Sequence, residues 1–194
     1  TALVVDFEPR FAPGLHLGMV RAFHLRASDL DSRSDYFPLF QPFQKERLPQ
    51  DTGSLGDGSL PDDQRASVYF SWHFPNSETT FYGEFGRTDH AADIRDVYLQ
   101  PNHARAYMLG LHKVFRPEAD QGSIWSLSAE IVDASNTSPS RVRLWRQGQT
   151  GADLRFYTHG SVRHGYSHRG RGLGSSVGLG STGWFAALQR SKSG

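Results

Sequence analysis

The stretch Thr79 to Phe115, TTFYGEFGRTDHAADIRDVYLQPNHARAYMLGLHKVF, decides how the rest of the chain is read. Its first segment, Thr79 to Arg87, sets Phe81 and Phe85 on one side and Thr80, Tyr82 and Glu84 on the other. Its last, Arg105 to Lys113, sets Tyr107, Leu109 and Leu111 on one side with small or polar residues opposite. Side chains alternate across an extended chain, so each segment predicts a β-strand with one apolar and one hydrophilic face. The polar run Asp89 to His103 between them reads as the loop of a hairpin.

The same pattern recurs outward in both directions. Ala2 to Phe11 alternates weakly and is turned by Pro13-Gly14. Leu15 to Leu25 keeps Leu15, Leu17, Met19, Phe23 and Leu25 in phase, with Arg21 interrupting the apolar side. Gln64 to Phe74 is the cleanest strand: Ala66, Val68, Phe70, Trp72 and Phe74 share one face, and Arg65, Ser67, Tyr69, Ser71 and His73 the other. Downstream, Ser123 to Asp133 opposes Trp125, Leu127, Ala129 and Ile131 to Ser126, Ser128 and Glu130. Val177 to Arg190 reads as a last strand, with Trp184, Ala186 and Leu188 in phase. The fold class is all-β, an antiparallel up-and-down meander of about seven strands.

Totals narrow the function. A chain of 194 residues with net charge +1 lacks the basic surface on which nucleic-acid affinity rests, so no nucleic-acid partner is expected. Mean hydropathy is −0.53, and no apolar run approaches the roughly 20 residues of a membrane helix. A membrane β-barrel stays open, because its alternating strands are hydrophilic on average. The absence of cysteine removes disulfide frameworks, thiolate metal sites and thiol catalysis. Thr1 to Asp6 enters directly as strand with no visible signal peptide and no initiator Met, which reads as a processed chain or, in preference, a piece of something longer.

Connections alternate in length. Pro13-Gly14, Pro75 to Glu78 and Arg116 to Gly122 are short; Arg26 to Asp63, Asp89 to His103 and Ala134 to Ser176 are long. In an up-and-down sheet, successive connections fall on opposite edges, so the short turns share one rim and the long loops the other. Outer-membrane barrels have this asymmetry. Soluble lipocalin-like barrels and sandwiches alternate as well. Gly, Ser, Glu and His opposite the bulky residues favour a wide barrel with a polar lumen, since a small soluble barrel fills its interior with apolar side chains.

The ordered set Phe81-Tyr82-Gly83-Glu84, the loop Asp89 to Asn102, Arg105 to Leu111, Trp125 to Glu130 and Arg163 to Gly174 resembles the Wzi-type capsule assembly proteins, over roughly residues 1 to 190. The resemblance implies a Gram-negative outer-membrane β-barrel that binds capsular polysaccharide at the cell surface, helps anchor the capsule, and is not an enzyme. Capsular polysaccharide and outer-membrane lipid are the partners it implies. Family members are longer and carry about twice as many strands, so residues 1–194 are expected to form one incomplete barrel domain.

The run Arg163-His164-Gly165-Tyr166-Ser167-His168-Arg169-Gly170-Arg171 supplies hydrogen-bond donors and positive charge suited to acidic sugars, and Tyr166 a flat face for a pyranose ring. The expected polysaccharide-binding residues are Tyr157, Arg163, His164, Tyr166, His168, Arg169 and Arg171. The competing expectation is an inward-folded loop whose arginines pair with Glu84 or Glu130. His90, Asp93 and Asp96 have no diagnostic metal spacing, so no metal, cofactor or catalytic residue is expected. Glu84 and Glu130, read as lying on neighbouring strands, could be drawn as a glycosidase carboxylate pair, a minority reading. No Gly-x-Ser-x-Gly elbow occurs. Trp72, Tyr107, Trp125 and Trp184 read as lipid-interface anchors. Two further functions stay open: a diffusion channel lined by His16, His73, Glu84, His112 and Glu130, and a soluble β-domain acting on sugars.

Overall fold

The computed structural model describes residues 2–24, 63–88, 105–118, 122–135, 156–157, 166–172, 174–178 and 180–192. Seven strands pair into one antiparallel sheet: β1 (Ala2–Phe7), β2 (Leu15–His24), β3 (Asp63–Phe74), β4 (Thr79–Thr88), β5 (Arg105–Phe115), β6 (Ser123–Asp133) and β9 (Thr182–Lys192). Each pairs with the next in chain order, so the sheet is a meander. A separate two-stranded ribbon, β7 (Ser167–His168) and β8 (Arg171–Gly172), lies within the connection between β6 and β9. The sheet is open: β1 and β9 are its two edges. Short connections, 8–14, 75–78 and 116–122, share one rim; 25–62, 89–104 and 134–181 leave the other.

Two boundaries differ from the pattern. The first strand ends at Phe7 because Pro9 interrupts the ladder and the carbonyl of Pro9 accepts from the Ala12 N–H at 3.0 Å, which starts the turn early. The last strand begins at Thr182, not Val177. Gly178 and Gly180 have φ of 83° and 61°, and the Gly178 N–H donates to the Ser175 carbonyl, so this segment is a turn.

Cross-strand register fixes which residues share a face. Leu17, Phe70, Gly83, Leu109, Ile131 and Trp184 lie in one row. Beside it run Leu15, Trp72, Phe81, Leu111, Ala129 and Ala186. This face stays open: Val68 is 55% exposed, Leu109 51% and Trp184 82%. Arg21, Arg87 and Arg105 border it at the long-loop rim, and Lys113 and Arg190 near the short-turn rim. Near the latter rim Trp72 and Phe74 meet at 4.7 Å and Phe115 stacks on Trp125 at 6.4 Å. All four rings expected as interface anchors, Trp72, Tyr107, Trp125 and Trp184, lie on this face.

The opposite face is the more hydrophilic: it carries His16, His73, Glu84, His112 and Glu130, with Val4, Ile124 and Phe185 exposed toward the sheet edges. Two tyrosines lie flat on it over glycines. A methyl built on Gly18 would collide with the Tyr69 ring, and one on Gly110 with the Tyr82 ring. Lacking a side chain there lets each ring cross its neighbouring strand and reach a carboxylate one strand further on. The Tyr69 hydroxyl donates to Asp6 at 2.8 Å, and His16 Nδ1 meets the other Asp6 oxygen at 3.0 Å. Asp133 fastens the long-loop rim, accepting from Arg105 at 3.1 Å, the Ser135 N–H at 2.9 Å and Thr182 Oγ1 at 2.9 Å.

Buried apolar side chains among the described residues do not form a core between sheets. Ala106, Ala134 and Phe156 cluster at the long-loop end of the hydrophilic face. Phe70, Trp72, Leu109 and Leu127 do not converge on a dry interior.

Candidate functional site

A pocket of about 420 Å³ opens on the hydrophilic face where the strands meet the long-loop rim. Its floor descends along β3, β4 and β5 from Arg65 through Ser67, Gly86 and Ala106 to Glu84 and Met108, with Glu130 of β6 at the inner end. Its wall comes from the β6–β9 connection: Phe156, Tyr157, Tyr166, Gly174, Ser175 and Ser176.

Small residues explain why the wall sits there. Gly86 and Ala106 are direct cross-strand partners, and the tip of the Phe156 ring lies within ordinary contact of where a Gly86 Cβ would stand. A large ring fills the hollow that small side chains leave, and Phe156 is 7% exposed. Tyr157 then organises the rest. Its ring meets Phe156 edge-on at 4.7 Å and stacks on Tyr166 at 6.0 Å with an interplanar angle of 11°. Its carbonyl accepts from the Tyr166 N–H at 2.9 Å, and its hydroxyl oxygen accepts from the Ser175 N–H at 3.1 Å. Tyr157 has φ 75°, a left-handed conformation costing a non-glycine residue about 1–2 kcal/mol, which these contacts offset.

Arg65 comes from the strand side. It is 8% exposed, and its guanidinium carbon lies 4.0 Å from the Tyr166 ring centroid and 5.7 Å from that of Tyr157. A flat cation against π-faces is attracted by the ring quadrupole, by about 2 kcal/mol when desolvated. Sheet and connection are joined by this contact.

The expected binding residues separate into three groups. Tyr157 and Tyr166 are in the pocket wall. His168, Arg169 and Arg171 are exposed on the β7–β8 ribbon, whose turn residues Arg169 and Gly170 have φ of 49° and 77°, a type I′ hairpin. Arg163 and His164, like His90, Asp93 and Asp96 and the loop Asp89 to His103, lie outside the described residues. The pairing of loop arginines with Glu84 or Glu130 is not found among the described residues; Glu130 accepts from the Tyr82 hydroxyl at 3.2 Å.

One assignment needs correction. Glu84 and Glu130 do not sit on neighbouring strands, because β5 runs between β4 and β6 and the two carboxylates occupy different rows. Two residues missed by pattern reading are Arg65 and Phe156. Arg65 was visible as a lone arginine at the long-loop end of an otherwise small or neutral face. Phe156 had no signal, since the hollow it fills is made by three separate strands and their ends.

Among the described residues no group of three or more His, Asp or Glu could hold a metal ion. Comparison with family models, with curated proteins and with solved structures returns no match to this chain.

Proposed function

We propose that the chain is part of an outer-membrane β-barrel of the Wzi capsule-assembly type, which binds capsular polysaccharide at the cell surface and helps anchor the capsule. One observation carries the reading: a single sheet has an exposed apolar face with cationic side chains toward both rims, and a second face that ends in a tyrosine–arginine pocket at the long-loop rim. From the Arg105 row to the Lys113 row, β5 covers roughly 27 Å, which a strand tilt of about 40° reduces to about 21 Å, close to the ~25 Å apolar band of such barrels. Hydrocarbon is the solvent that suits so much open Val, Leu, Phe and Trp surface. A soluble β-domain acting on sugars would instead turn that surface into a shared core.

In this reading the edges β1 and β9 pair with further strands, since an uncovered edge invites aggregation. The polysaccharide meets Tyr166 in the pocket and the His168, Arg169 and Arg171 side chains of the ribbon. The test is titration of capsular polysaccharide onto the chain reconstituted in outer-membrane lipid. Tyr166→Ala and Arg169→Ala each lower affinity; unchanged binding in both variants overturns the proposal.

A diffusion channel is the second reading. The hydrophilic face with His16, His73, His112, Glu84 and Glu130 favours it, while the Phe156–Tyr157 segment lying against that face opposes an open path. Single-channel conductance in planar bilayers separates the two.

A further inference from the structure

Charge is distributed unevenly between the pocket and the ribbon beside it. Among the described residues, the charged groups lining the pocket are Arg65, Glu84 and Glu130. Arg65 turns the flat face of its guanidinium onto the tyrosine rings and keeps its positive charge in the wall, one cation against two carboxylates. Of these two, Glu84 is exposed, and Glu130 is half-buried with one oxygen accepting from Tyr82. Outside the pocket the order reverses. His168, Arg169 and Arg171 are exposed on a short ribbon with no acidic residue, held at its base by Tyr166 and Gly174, which line the pocket. Three extended residues separate base from tip, roughly 10 Å, the reach of a short oligosaccharide.

A carboxylate entering the pocket meets two like charges, the exposed Glu84 and the half-buried Glu130, against one guanidinium whose flat face is turned onto the rings. A ring without acid meets tyrosine and methionine surface plus two good acceptors for its hydroxyl or amide hydrogens. We infer that the pocket seats a non-acidic pyranose, a neutral hexose or amino sugar, and that acid groups of the same glycan rest on the His168, Arg169 and Arg171 ribbon. The inference rests on the polysaccharide reading above and names the repeat it selects: acidic and non-acidic sugars in one chain.

Calorimetric titration of the full chain in lipid nanodiscs at low salt tests this with three probes of equal length. One alternates glucuronate with N-acetylglucosamine, one is oligogalacturonate, and one is a neutral maltooligosaccharide. The alternating glycan binds tightest, with oligogalacturonate weaker by roughly tenfold. The Glu84→Gln/Glu130→Gln double variant reduces that preference to near unity. Arg169→Ala/Arg171→Ala brings the alternating glycan down to the affinity of the neutral one and removes its salt dependence. Oligogalacturonate binding as tightly as the alternating glycan, or a preference unchanged in the glutamine variant, overturns the inference and leaves polysaccharide binding standing. Absence of heat with all three probes and with whole capsular polysaccharide overturns both.

Discussion

The Tyr82 hydroxyl donates to a Glu130 carboxylate oxygen 3.2 Å away, across the whole width of an intervening strand. The bond exists because Gly110, the direct cross-strand partner of Tyr82, leaves room for the ring to lie flat. Tyr69 repeats the device toward Asp6 over Gly18. Gly110→Ala therefore forces the ring upward and destabilises the sheet by about 1–3 kcal/mol. In a double-mutant cycle followed by denaturant unfolding, Tyr82→Ala costs less in the Gly110→Ala background than in the parent chain. Additive costs would remove the ring-on-glycine contact as their cause.

Leu109 and Ser71 occupy opposite faces of the sheet, and arginine at each asks what solvent the faces meet. If hydrocarbon covers the apolar face, Leu109→Arg costs about 2–4 kcal/mol at mid-membrane depth, and Ser71→Arg much less. In a water-soluble domain both changes are mild, since Leu109 is already 51% exposed. Reversible urea unfolding from lipid vesicles measures the difference. Equal costs at the two positions contradict the membrane assignment.

Phe156 is the anchor by which the β6–β9 connection holds the pocket wall in place. Phe156→Ala empties the hollow over Gly86 and Ala106 and releases Tyr157 and Tyr166. The expected results are faster hydrogen exchange at the Tyr166 amide, which donates to the Tyr157 carbonyl, and weaker glycan binding. Exchange at strand amides such as those of β4 and β5 stays slow, because the loss is local. Unaltered exchange at Tyr166 would show that the wall stands without its anchor.

Arg65 holds the same wall from the strand side through a flat face and not through charge alone. Arg65→Lys keeps the cation but loses the planar contact with both rings, and it weakens the wall by about 0.5–2 kcal/mol. Near-ultraviolet circular dichroism of the stacked tyrosines reports the change. A spectrum identical to the parent's would mean that charge, and not shape, holds the contact.

Much of this architecture is legible in the residue order because a strand declares its faces locally. Ala66, Val68, Phe70, Trp72 and Phe74 need no distant partner to be recognised as one surface. The final strand misleads because Val177 and Trp184 are apolar on the two sides of glycines whose backbone turns, and alternation alone does not reveal a positive φ. The β7–β8 ribbon hides for a related reason: its turn is Arg-Gly, less telling than Asn-Gly. The pocket is the least legible part. It joins Arg65 to Tyr157 and Tyr166, about a hundred residues later, and only the register of the intervening strands brings them together.

The unequal connections give the sheet a direction. Tight turns such as Pro75–Ser77 close one rim, whereas the long connections 25–62, 89–104 and 134–181 all leave from the other. That second rim carries the tyrosines and the ribbon. One margin closes neighbouring strands with tight turns; in the outer-membrane reading proposed above, the other is the margin that would face the glycan, so pocket and ribbon stand together at a single end of the sheet.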